Sequence, residues 1–234
     1  VIVTAGTPPS LAVKEATTAV PLVMLAGDPV GTGIVPSLSH PGGNITGLTA
    51  ISTEMDAKRL ELLREVVPSA SYVALLWNAS SPLQVLAEKQ VQAAAQVLRM
   101  RVLSLGVKTE EEIKSALAVM ARERPDALLV LADRLLLHHR ALIMDFATRQ
   151  RLPRVHPYRE LVEAGGLMSY GPSYADMHRR AAYFVDRILK GTKAGDLPVE
   201  RPAKFDLVIN MKAVKALGLT IPQSVLLRAT EVIQ

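Results

Sequence analysis

Short aliphatic and β-branched runs alternate along the chain with longer stretches in which apolar residues recur at helical spacing. Residues 1–4, 21–26, 72–77, 101–105, 127–131, 154–156, 167–170 and 205–210 read as strands. Between them the spacing predicts helices over 8–18, 54–67, 82–100, 110–122, 135–150, 158–164, 174–190 and 211–217, with 220–234 as an extended tail. Thr7 before Pro8 suits an N-cap with proline in the first turn, and Ser81-Pro82-Leu83-Gln84 and Thr109-Glu110-Glu111-Glu112 have the form of capping boxes. Strands and helices in this alternation predict an α/β fold with parallel sheets covered on both faces by helices.

One stretch departs from the rhythm. Residues 25–50 hold six of the fourteen glycines and three prolines, Pro29, Pro36 and Pro41. Glycine and proline interrupt regular structure, so the stretch reads as a long ordered connection, crossing from one α/β lobe to another.

Ligands of parallel α/β sheets bind beyond the carboxyl ends of the strands. That rule selects Thr7 after the first strand, Asp28 after the second, Asn78, Ser80 and Ser81 after Trp77, Asp133 after Leu131, and Tyr158 after His156. Helix starts at Pro8 and Pro82 suit a carboxylate, while Asp28 or Asp133 suits an ammonium, a pairing that fits an amino acid. Each residue has a plainer role open to it: Thr7, Ser81 and Asp133 as helix caps, Asp28 and Asn78 as turn residues. Trp77 is a stacking surface for an aromatic ligand or a core residue.

Composition narrows the classes. With 49% hydrophobic residues and a mean hydropathy of +0.23, the 234-residue chain can bury sizeable cores. No apolar run is long enough for a membrane span. The net charge of +5 is spread among acids, as in Lys58-Arg59-Leu60-Glu61, and aromatic residues make up 4%, so nucleic acid is not an expected partner. Without cysteine there are no disulfides or thiolate metal sites. No H-E-x-x-H, G-x-S-x-G, Walker A or G-x-G-x-x-G occurs, so no catalytic residue, metal or cofactor is expected.

The succession GDPVGTGIVPSLSHPGGNITGLTA, then KRLELLREVVP, then RELVEAGGLMSYGPSYADMHRRAAYFVDRILKGTKAGDLPVE and KFDLVINMKAVKALGLTIPQSVLLRATEVI, resembles the ABC-transporter substrate-binding proteins related to tryptophan- and tyrosine-binding lipoproteins. The resemblance covers nearly the whole chain. It implies a two-lobed type I periplasmic-binding-protein fold, with 1–47 and 170–195 in a first lobe, 48–169 and 196–234 in a second, and crossovers near 43–50, 167–172 and 196–204. It further implies an extracytoplasmic, non-enzymatic protein, lipid-anchored through an N-terminal segment absent here, that closes on a small molecule such as an amino acid and delivers it to an ABC permease. Relatives carry more sequence ahead of the position matching Val1, so the first lobe is expected to be incomplete. A ligand-sensing domain of a regulator or receptor with the same fold, and an α/β hydrolase, are the competing expectations.

Overall fold

The computed structural model describes all residues, Val1–Gln234. In chain order the elements are β1 (Ile2–Ala5), α1 (Thr7–Ala16), β2 (Leu22–Ala26), β3 (Ile45–Thr49), α2 (Ser52–Val66), β4 (Tyr72–Asn78), α3 (Pro82–Val97), β5 (Arg101–Val107) and α4 (Glu110–Glu123). There follow β6 (Ala127–Val130), α5 (Arg134–His138), α6 (Arg140–Arg149), β7 (Arg154–His156), α7 (Arg159–Glu163), β8 (Met168–Pro172), α8 (Tyr174–Leu189), β9 (Phe205–Asn210), α9 (Met211–Leu217), α10 (Gln223–Leu226) and β10 (Glu231–Ile233). They form two compact units, the first from Val1–Thr53 and Pro172–Phe205, the second from Glu54–Gly171 and Asp206–Gln234. No helix is long and apolar enough to cross a membrane.

The first unit holds a parallel sheet in the order β1-β2-β3. Every residue of β2 is buried because both faces are covered. Val23 and Leu25 pack with Leu48 and the α8 stripe Met177, Ala181 and Phe184, while Leu22, Met24 and Ala26 pack with Ile34, Val35, Ile45 and Val199.

The stretch 25–50, expected to be a connection between lobes, lies wholly inside this unit and contains β3. What hid the strand is Gly47 at its centre, where φ is +136° and an added Cβ would stand 2.0 Å from the Met24 carbonyl oxygen. Only glycine lets the two backbones approach this closely. Outside β3 runs the chain after α8. The Gly47 carbonyl accepts from the Glu200 amide at 3.0 Å, the Thr49 amide donates to the Glu200 carbonyl at 2.9 Å, and the Thr46 hydroxyl donates to the Leu197 carbonyl at 2.8 Å. Gly195 makes a second tight approach, since a Cβ there would lie 2.6 Å from the Gly43 carbonyl oxygen. The GG turn and the KAGDLPVE segment therefore interlock through backbone that no side chain could separate.

The second unit holds a seven-stranded sheet in the order β10-β9-β8-β7-β6-β4-β5. The pairs β4–β5, β4–β6, β6–β7, β7–β8 and β9–β10 are parallel. On one face Leu75, Leu129 and Val155 pack with Leu60 and Leu63 of α2 and Val91 of α3; on the other Leu76, Leu128 and Val130 pack with Ile113 and Met120 of α4 and Phe146 of α6.

Four further expectations are corrected here. The helix expected over 135–150 is two helices, broken at His139, where φ is −90° and ψ is 19°, with no proline or glycine to announce the break. The expected tail forms α10 and then β10, which pairs with β9. The cap before α1 is Gly6, with Thr7 already helical, so the Thr7 hydroxyl is free for another task. At Ser81 the N-cap position is occupied as expected, yet its side chain makes no cap bond, and Gln84 donates instead to the Ala132 carbonyl at 2.9 Å. The box at Thr109 works: its hydroxyl accepts from the Glu112 amide at 3.2 Å, while the Glu112 carboxylate reaches one residue further back to the Lys108 amide at 2.7 Å.

Candidate functional site

In the second unit the chain runs from β4 outward to β5, then returns to place β6 on the other side of β4. The junction between β4 and β6 is thus a topological switch point, where adjacent strand ends feed helices on opposite faces and leave a crevice. Asn78 ends β4 and Asp133 follows β6 at this junction. Their side chains meet, with Asn78 Nδ2 donating to Asp133 Oδ1 at 3.1 Å. Asn78 Oδ1 accepts from the Ser80 amide at 2.9 Å, and Asp133 Oδ1 also accepts from the Leu135 amide at 2.8 Å, capping α5. Asp133 accepts both of these bonds through the same oxygen, Oδ1. Ser81 is buried at the start of α3, and Ser80 beside it is exposed. Tyr158 is half-buried ahead of α7, at the end of the next strand, β7.

The candidates of the first unit are engaged within it. The Thr7 hydroxyl, 2% exposed, accepts from the Gly27 amide at 3.3 Å and ties the start of α1 to the end of β2. Asp28 Oδ1 accepts from the Gly31 amide at 2.9 Å, and its carbonyl accepts from the Thr32 amide at 3.0 Å, the bonding of a turn acid. Trp77 packs against the core of the second unit, its ring over Gly106 and its Nε1 donating to Ser104 at 2.9 Å. No group of three or more His, Asp or Glu is disposed to hold a metal ion.

Sequence reasoning missed a buried polar cluster in the second unit. Asp56 and Arg59, at 0% and 1% side-chain exposure, form an ion pair one turn apart on α2, and Arg59 Nε donates to the Tyr170 carbonyl at 2.6 Å. Asp56 Oδ2 has no hydrogen-bond partner. Burial pushes the Asp56 carboxyl up to about 6, against the opposing pull of Arg59. His156, the last residue of β7, is buried with neither ring nitrogen hydrogen-bonded. Burial, with Arg154 and Arg59 adding repulsion, pushes its imidazole down to about 3. The available signal for the ion pair was its i, i+3 spacing between the apolar positions Met55 and Leu60.

The shift at His156 fixes a pH dependence. Between pH 6.5 and 3 the unfolded chain binds the proton that folded His156 refuses, so its contribution to stability falls as pH falls through that window. Asp56 has the opposite slope: the folded carboxyl holds its proton between pH 3.8 and 6, so stability falls as pH rises there. The wild-type curve is expected to be shallow from these two groups where the windows overlap. Subtracting the urea-unfolding stability of a His156→Leu variant from that of the wild type isolates the histidine. The difference should fall with acidification below pH 6.5 at up to about 1.4 kcal/mol per pH unit. A difference constant from pH 7 to 4 would contradict the assignment.

Two parallel-sheet units with both faces covered, and a polar crevice at a strand switch point, define an α/β binding protein of the periplasmic-binding type. The family model for ABC transporter substrate binding proteins matches residues 1–233, and the chain belongs to this family. A tyrosine-binding protein of Clostridioides difficile (strain R20291) is 28% identical over 215 residues, 92% of this chain; the chain spans 61% of that relative's length. The ABC domain from Streptococcus pneumonia solved in complex with L-Trp superposes with a TM-score of 0.92 at 28% identity, over 100% of this chain and 80% of that one. A conserved domain protein from Vibrio cholerae gives 0.91 at 29% identity, over 98% and 77% of the two chains.

Proposed function

We propose that this chain is the solute-binding component of an ABC importer, working outside the cytoplasm and binding an amino acid with an aromatic side chain for delivery to a membrane permease. The observation that carries the reading is the Asn78–Asp133 contact at the β4/β6 switch point. An α-ammonium fits Asp133 Oδ2, because Asn78 and the Leu135 amide hold the carboxylate by its other oxygen. The ligand carboxylate fits the first turn of α3, where Ser81 leaves its hydroxyl uncommitted to the cap and Ser80 is exposed beside it. Tyr158, one strand further along, offers a ring face for the side chain. The aromatic preference is supported by the tyrosine-binding protein of Clostridioides difficile and by the L-Trp complex of the Streptococcus domain. Nothing in this arrangement supplies a nucleophile beside a base, so binding without turnover is the expected chemistry.

The test is thermal unfolding against a panel of L-amino acids. L-tryptophan or L-tyrosine should stabilise the protein progressively with concentration, by about 2.7 kcal/mol at a hundredfold excess over Kd, while glycine and L-glutamate leave it unchanged. Equal response to every amino acid, or to none, would overturn the reading.

A further inference from the structure

Gln84 lies in the first turn of α3 and is 1% exposed. A glutamine at this place in a capping box accepts from the backbone amide of the cap residue. Here that amide, of Ser81, is taken by the Asn78 carbonyl at 3.2 Å, and Gln84 Nε2 instead donates to the Ala132 carbonyl at 2.9 Å. We propose that Gln84 is a positioning residue for Asp133, holding the carboxylate where it selects ligands that carry an ammonium; the role rests on the switch-point reading of the site and adds a residue to it.

Two observations separate this bond from an ordinary core contact. The first is its place in the backbone. Ala132 immediately precedes Asp133, and the carbonyl that Gln84 holds belongs to the planar peptide joining them. The bond therefore fixes the backbone from which the Asp133 side chain departs, while Asn78 and the Leu135 amide hold its Oδ1. It also ties α3, the helix that follows β4, to the turn that follows β6, so it joins the two sides of the switch point. The second observation is that Gln84 Oε1 is buried with no hydrogen-bond partner. An unpaired buried acceptor costs at least as much as one neutral hydrogen bond contributes. Glutamine thus confers little net stability on the fold, and what it does change is how firmly the residue before Asp133 is held.

The experiment is calorimetric titration of the full chain, wild type and Gln84→Met, with L-tryptophan and with indole-3-propionate, its analogue without the ammonium. Gln84→Met is expected to weaken L-tryptophan by about fivefold and indole-3-propionate by less than about twofold, with the urea-unfolding midpoint of the free protein little changed. A tie that only stabilises the fold would lower the midpoint and weaken both ligands alike, and that outcome overturns the positioning role. So does a preference for L-tryptophan that survives in Gln84→Met but is lost in Asp133→Asn. The wild type, labelled with ¹⁵N, gives a second measurement that needs no substitution. The side-chain amide protons of Gln84 should shift with L-tryptophan and not with indole-3-propionate; the same shift with both, or none with either, overturns the proposal as well. Failure of the switch-point reading looks different and takes this inference with it: the wild type then shows no preference for L-tryptophan over indole-3-propionate, and Asp133→Asn leaves both affinities unchanged.

Discussion

Replacing Gly47 with alanine is expected to destabilise the protein by at least about 4 kcal/mol and to leave little folded material at 37 °C. Two effects act together. A residue with a Cβ held at φ +136° is strained, by about 1–3 kcal/mol in the usual range. The larger effect is steric, because the Cβ would stand 2.0 Å from the oxygen and 2.5 Å from the nitrogen of Met24, both backbone atoms of the central strand β2. Neither can yield without parting β3 from β2, and with β3 goes the 194–200 segment bonded to its outer edge. Gly218→Ala is the control. That glycine, at φ +70° after α9, has nothing within 4 Å, so only the backbone strain of about 1 kcal/mol remains. Urea-unfolding midpoints of the two variants separate the contributions, and equal loss in both would show that the close approach carries no weight.

The second large effect is at Arg59. Arg59→Met should cost about 3–5 kcal/mol, because it leaves the Asp56 carboxylate buried without its counter-charge and the Tyr170 carbonyl without its donor. Removing both charges, as Asp56→Leu with Arg59→Met, should recover most of that loss, since the penalty of the single change is the orphaned charge more than the bond itself. Stability of the two single variants and the double, measured by denaturant unfolding, gives the coupling directly. Additive losses would mean that the two side chains act independently.

These two positions also mark where a sequence stops being legible. The alternation of apolar runs and amphipathic stretches identifies eight of the strands, most of them because their burial follows from their own residues. β3 was concealed for the reason that makes it necessary: the glycine that permits the close approach to Met24 is also the residue that signals a break in a strand. β10 was concealed because Glu231 and Val232 are exposed at a sheet edge, so no buried pattern marks it. Asp56 and Arg59 are charges that interrupt the apolar stripe of their helix, and only the tertiary fold reveals that α2 turns them inward. Asn78 and Asp133 could be picked out by their place after strands, yet their meeting depends on the order β6-β4-β5, which strand sequence alone does not give.

The claim at the centre is that Asp133 recognises the ammonium of an amino acid. Calorimetric titration of the wild type and of Asp133→Asn with L-tryptophan, and with indole-3-propionate, which lacks the ammonium, tests it most directly. A charge-assisted bond of about 2 kcal/mol should make the wild type prefer L-tryptophan by roughly 30-fold or more. In Asp133→Asn that preference should shrink to within about threefold, while indole-3-propionate binds as before. An undiminished preference for L-tryptophan in the variant would contradict the assignment and move the ammonium site elsewhere.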